Sequence, residues 1–139
     1  MSVLLDTGLI FAYLNRQDTR HAEAKELMDR IARKEFGQPF VTDHVVDELF
    51  VLIRVRTGSS TLEESARRLL PMPTPALKGL ASISLGTGLL IPAWETFHKY
   101  RDQGISFTDA SLIVTMRERS IGRLATFDDR LRKLVVTTE

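Results

Sequence analysis

Short, wholly apolar runs alternate along this chain with segments whose apolar residues recur at the helical period. Val3-Leu4-Leu5 is bounded by Asp6-Thr7-Gly8, which predicts a buried parallel strand followed by a helix to about Asn15. Ala24, Leu27, Met28 and Ile31 keep helical spacing with charges opposite, predicting a second helix that opens at Asp18 or Thr19 and is stopped by Gly37 and Pro39. Pro39-Phe40-Val41-Thr42 reads as a second strand. Asp43 is placed to cap a long helix from His44 to about Thr57, closed by Gly58. Ser60 or Thr61 caps the next helix, with Glu63 or Glu64 completing a capping box, and that helix runs to about Leu70.

The proline-rich stretch Pro71–Pro75 reads as a loop within one domain. Residues 82–91 fit more than one assignment: Ser82 to Leu85 alternates, Gly86 and Gly88 interrupt, and Leu89 to Ile91 can be a strand. Pro92 fits the first turn of a helix ending near Asp102. Ser106 or Thr108 caps a helix from Asp109 to about Arg119, Arg123 to Thr126 is a strand turning at Asp128, and Leu134 to Val136 is a last strand. This alternation implies an α/β domain with a mostly parallel sheet. Sites in such sheets lie beyond the carboxyl ends of the strands, where Asp6 and Asp128 fall.

The length, 139 residues, suits a single domain over 1–139. Lys plus Arg is 19 and Asp plus Glu is 18, so any nucleic-acid contact must use a local patch. The absence of cysteine excludes a disulfide scaffold, a thiolate metal site and a cysteine nucleophile, and fits a reducing cytoplasm. His21, His44 and His98 show no zinc spacing. The start of the chain lacks a signal-peptide pattern and no apolar run is long enough to span a membrane, so a cytoplasmic protein with no membrane partner is expected.

Four acidic residues carry candidate chemistry: Asp6, Glu48, Asp109 and Asp128. Each also has a structural reading. Asp6 and Asp128 can be turn or cap residues, Asp109 can be favoured by a helix dipole, and Glu48 sits at the margin of a polar helix stripe.

Taken in order, Asp6-Thr7, Glu48-Leu49, Ser106-Phe107-Thr108-Asp109-Ala110 and Leu124-Ala125-Thr126-Phe127-Asp128 resemble the motifs of the PIN domain, particularly the compact VapC-like ribonuclease toxins of toxin–antitoxin pairs. The resemblance runs from Val3 to about Val136. It implies a PIN-like three-layer α/β sandwich with a central, mostly parallel sheet flanked by helices. It also implies a magnesium- or manganese-dependent endoribonuclease cutting single-stranded or structured RNA. On that resemblance Asp6, Glu48, Asp109 and Asp128 are the catalytic and metal-site residues, with Thr7 and Thr126 as hydroxyl support. Three features depart from the pattern: Leu131 stands where the toxins often carry phenylalanine, the stretch over residues 71–91 does not align to it, and Asp129 directly follows Asp128 as a rival ligand.

The chemistry is consistent with an oxygen-only set. Clustered carboxylates repel, by about 4 kcal/mol for two charges 4 Å apart at an effective dielectric of 20, and a cation removes that repulsion. With neither cysteine nor histidine in the motifs, Mg2+ or Mn2+ fits better than zinc. Of the basic residues near the last motif, Arg130 follows Asp128 closely enough to be expected at the RNA.

A phosphatase using Asp6 as nucleophile would need a second aspartate where Gly8 stands. The remaining alternative is a non-catalytic PIN-like domain that binds RNA or protein. The resemblance also implies a small antitoxin protein as partner and a homodimer. The third helix, with Val45, Val46, Leu49, Phe50, Leu52, Ile53 and Val55 spread almost all round, is apolar enough for a second contact or for plain burial.

Overall fold

The structure, a computed structural model, describes residues 1–138. Its elements run β1 (Ser2–Leu5), α1 (Thr7–Leu14), α2 (His21–Ala32), β2 (Gln38–Thr42), α3 (Asp43–Arg56), α4 (Ser60–Leu69), β3 (Ala81–Ile83), α5 (Leu90–Lys99), α6 (Phe107–Arg119), β4 (Arg123–Ala125) and α7 (Asp129–Arg132). The strands form one sheet in the order β3-β2-β1-β4, and every pairing is parallel. This is the expected helix-flanked α/β sandwich, parallel throughout rather than mostly.

The apolar run of β1 explains its central place. A parallel strand covered by helices on both faces has no polar side to present, and Val3, Leu4 and Leu5 are fully buried. Leu9, Ile10 and Phe11 of α1 continue the same core, joined by Met28 and Ile31 of α2, by Val45, Leu49 and Ile53 of α3, and by Leu112 of α6.

Several expected boundaries move. Thr42, not Asp43, caps α3, its hydroxyl accepting from the Val45 N–H at 3.2 Å, while Asp43 accepts from the Leu85 N–H and ties α3 to the loop after β3. Ser59 caps α4 in place of Ser60 or Thr61, which puts Leu62 at the third helical position, so no capping box forms, and Glu63 pairs with Arg54. The second helix begins at His21, and Asp18 bonds the Arg20 N–H just before it. Leu89 to Ile91 is not a strand: Leu89 ends a short 3-10 turn and Leu90 opens α5, with Pro92 in the first turn, where backbone N–H groups lack helical partners anyway.

Leu134 to Val136 forms no strand either. The Leu134 and Val135 N–H groups both turn back onto the Leu131 carbonyl, so they are not free for a ladder. The Leu124 N–H still bonds the Val136 carbonyl, and an isolated bridge pairs Leu124 with Thr137. None of the helices is long and apolar enough to cross a membrane among the described residues.

Candidate active site

Beyond the carboxyl ends of the two central strands, the backbone brings β1 and β4 together. The Asp6 N–H bonds the Ala125 carbonyl at 3.1 Å, extending the ladder by one residue. Asp6 then caps α1, its Oδ1 accepting from the Thr7 N–H at 2.8 Å. Thr126, just past β4, donates its hydroxyl to Asp6 Oδ2 at 2.6 Å and accepts from the Asp128 N–H at 3.0 Å. One threonine therefore couples the two strand-end aspartates.

Asp109 arrives from the first turn of α6. It forms a reciprocal capping box with Ser106: the Asp109 N–H bonds Ser106 Oγ at 3.0 Å, and the Ser106 N–H bonds Asp109 Oδ2 at 2.9 Å. Glu48 comes from the middle of α3. Asp6, Glu48, Asp109 and Asp128 line one cleft of about 430 Å3, together with Thr7, Asp18, Arg20, Arg56 and Arg130. Asp129 does not line it; its carboxylate is exposed and pairs with Arg132 at 3.0 Å.

The environments of these carboxylates differ. Burial pushes Asp6 up to about 7, with the charges of Asp109 and Glu48 adding to the effect and the Thr126 and Thr7 hydrogen bonds opposing it. Burial likewise raises Asp109, aided by the charges of Asp128 and Glu48 and opposed by Ser106. Asp128 is held below the usual carboxylate range, chiefly by its bonds from Arg130. The cleft thus concentrates negative charge that the protein only partly compensates. The Thr7 hydroxyl is buried in the cleft wall without a hydrogen-bond partner.

The PIN domain family model matches residues 3–136 of the chain. The chain belongs to the PIN domain family. A VapC ribonuclease of Archaeoglobus fulgidus is 29% identical over 56 residues, which is 40% of this chain and 36% of that protein's length. The structure of Mycobacterium tuberculosis VapC20, described as a sarcin-ricin loop cleaving toxin, superposes with a TM-score of 0.79 at 24% identity, covering 96% of each chain. Rickettsia felis VapBC2, solved bound to a DNA fragment from its promoter, gives a TM-score of 0.68 at 13% identity over 99% of this chain and 97% of that one. These two likenesses establish the PIN fold.

Three guanidinium groups line this PIN domain's cleft. Arg130 grips Asp128 with Nε to Oδ1 at 3.0 Å and Nη2 to Oδ2 at 2.7 Å, while its Nη1 donates to the Gly104 carbonyl at 2.6 Å. Arg20 lies over the Phe127 ring at 5.0 Å and donates to the Phe127 carbonyl at 3.1 Å. Arg56 lies 5.9 Å from the Phe11 ring centre. Among the described residues, no three His, Cys, Asp or Glu side chains are grouped so as to hold a metal ion as they stand. Ser106 engages one oxygen of Asp109, and Arg130 takes both oxygens of Asp128.

Sequence reasoning does not single out Asp18, Arg20 or Arg56 as site residues. Asp18 and Arg20 lie between α1 and α2 and Arg56 ends α3. Tertiary packing alone brings them to the cleft, and no local pattern marks them.

Proposed function

We propose that the protein is a divalent-metal-dependent endoribonuclease, cleaving RNA phosphodiesters at the cleft lined by Asp6, Glu48, Asp109 and Asp128. The observation that carries this reading is that all four ordered carboxylates of a PIN family chain line one cleft beyond β1 and β4. The donor chemistry suits a hard cation: carboxylate oxygens, no thiolate, no imidazole in the lining, and the partnerless Thr7 hydroxyl beside them.

Asp6, Glu48, Asp109 and Asp128 would hold Mg2+ or Mn2+, which when bound activates a water and stabilises charge on the phosphate and leaving oxygen. Thr126 fixes the Asp6 carboxylate by its 2.6 Å bond and keeps Asp128 beside it through the Asp128 N–H. Arg130 must leave Asp128 for that carboxylate to act, and its guanidinium is then free for an RNA phosphate. Arg20 and Arg56, on the same cleft, supply further phosphate contacts. The Thr7 hydroxyl can donate to a phosphate oxygen or a water.

The names of the relatives support a toxin of a type II toxin–antitoxin pair, with a small antitoxin as protein partner. A homodimer is part of this reading: Val51 and Val55 of α3 stay exposed, so the apolar helix is not used up by the core. The engagement of Asp109 by Ser106 and of Asp128 by Arg130 favours the second reading, a non-catalytic PIN-like domain binding RNA or protein. Incubating the purified chain with mixed-sequence RNA decides between them. Cleavage that appears with magnesium or manganese and stops in chelator is expected; cleavage undiminished by chelator overturns the metal mechanism, and none with any metal supports the non-catalytic domain.

A further inference from the structure

The chain's single tryptophan lies outside the carboxylate cleft, on the solvent side of α5. Trp94 is 55% exposed, although burying so large a ring is favourable. It stacks on His98 with ring centres 5.6 Å apart and leans on Phe97 at 6.0 Å. With Phe97, His98, Arg101, Gly104 and Ile105 it lines a depression of about 350 Å3. No carboxylate lines this depression, and Arg101 forms no ion pair with any described residue.

The depression and the cleft share a wall. Gly104 lines the depression, and its carbonyl accepts from Arg130, which lines the cleft. Ile105 lines the depression, and the next residue, Ser106, lines the cleft. Gly104 has φ +69°, a conformation that a side chain would strain, so this wall depends on glycine.

We infer that the depression is a base-binding subsite of the RNA cleft, in which an unpaired nucleobase stacks on Trp94 and Arg101 meets the adjoining phosphate. The inference rests on the cleft being an RNA site, as in the proposed function. A flat, half-exposed ring, an unpaired cation and continuity with the cleft together favour a nucleotide over a protein segment. Every base has a π-face, so such a subsite adds affinity and selects unstacked nucleotides rather than a sequence.

The lone tryptophan supplies the readout. The full chain is mixed in stopped flow, in magnesium, with a short mixed-sequence single-stranded RNA or with an abasic ribose-phosphate chain of the same length. The RNA is expected to quench the tryptophan fluorescence and the abasic chain is not. Trp94→Leu, checked for an unchanged melting point, should raise KM about 5- to 150-fold, the range for losing one stacked base, with kcat unchanged. Arg101→Gln should raise KM as well, which tests the site without touching the ring.

Binding of labelled RNA without quenching, equal quenching by the abasic chain, or an unchanged KM in Trp94→Leu overturns the subsite. So does a Trp94→Leu variant whose only change is conversion of a dimer to a monomer in sedimentation, because the face then belongs to a second copy. If wild type cleaves no RNA yet base-dependent quenching persists, the nuclease reading fails and the base site stands. If wild type cleaves RNA without quenching, the reverse holds.

Discussion

Raising the pH from about 5 to about 8 in chelator is expected to destabilise the fold through its raised carboxylates, Asp109 in direction and Asp6 most of all. Burial, helped by the charges of Asp109 and Glu48, pushes Asp6 from the ordinary 3.8 up to about 7. Between those two values the folded chain keeps a proton that the unfolded chain has released. Stability therefore falls as the pH rises through that window, by about 1.36 kcal/mol per tenfold difference in proton affinity and about 4 kcal/mol in all. The arginine-paired carboxylates Asp128, Glu35, Glu63 and Glu64 act in the opposite sense. Their contribution is present above the ordinary carboxylate range and is lost as pH falls through their lowered folded values, below this window. Asp6→Asn removes the titration while keeping an oxygen for the Thr7 N–H. Urea unfolding of both proteins in chelator, between about pH 5 and about pH 8, should show the wild type losing about 2.6 kcal/mol more than the variant, the share of that total that falls above about pH 5. Asp6→Asn should be the more stable protein at the upper end. Parallel losses in the two proteins would refute the reasoning.

Magnesium at about 100 times its dissociation constant should stabilise the wild type by about 2.7 kcal/mol, and Asp6→Asn and Asp109→Asn much less, as read by thermal melting. Thr126→Val removes a buried bond to Asp6 and should cost about 1–3 kcal/mol in urea unfolding. Because the Thr126 bond lowers the Asp6 pKa, the same variant should move the acid limb of cleavage to higher pH. Raising magnesium should move that limb to lower pH in the wild type, since the ion competes with the proton for Asp6, measured as cleavage rate against pH. Leu4→Ala, in the central strand, should cost about 2–5 kcal/mol of unfolding free energy in the same assay.

The legible parts of the sequence were those whose local pattern and tertiary role agree. Val3-Leu4-Leu5 is apolar without alternation because both faces of β1 are covered, and the pattern states as much. The four acidic residues that the motif order singles out share one cleft, which Asp128 lines and Asp129 does not. What the sequence hid was decided by competition for hydrogen bonds. Leu134 to Val136 has strand composition, yet the turn at Leu131 takes the N–H groups that a ladder needs. The sequence reading offers Ser60 or Thr61 as the cap of α4, and the fold uses Ser59, one position earlier. Arg20 reaches the cleft through its contact with Phe127, a residue 107 positions away in the chain, for which no local signal exists.

The central claim is that Asp6, Glu48, Asp109 and Asp128 act together on one phosphodiester. It is tested most directly by the single-turnover rate of RNA cleavage in saturating manganese for Asp6→Asn, Glu48→Gln, Asp109→Asn and Asp128→Asn beside Asp129→Asn. Each of the first four should lose about 100-fold or more, the scale of removing one group that stabilises transition-state charge, while Asp129→Asn stays near the wild-type rate. A wild-type rate in any of the four, or a loss in Asp129→Asn equal to theirs, would contradict the account.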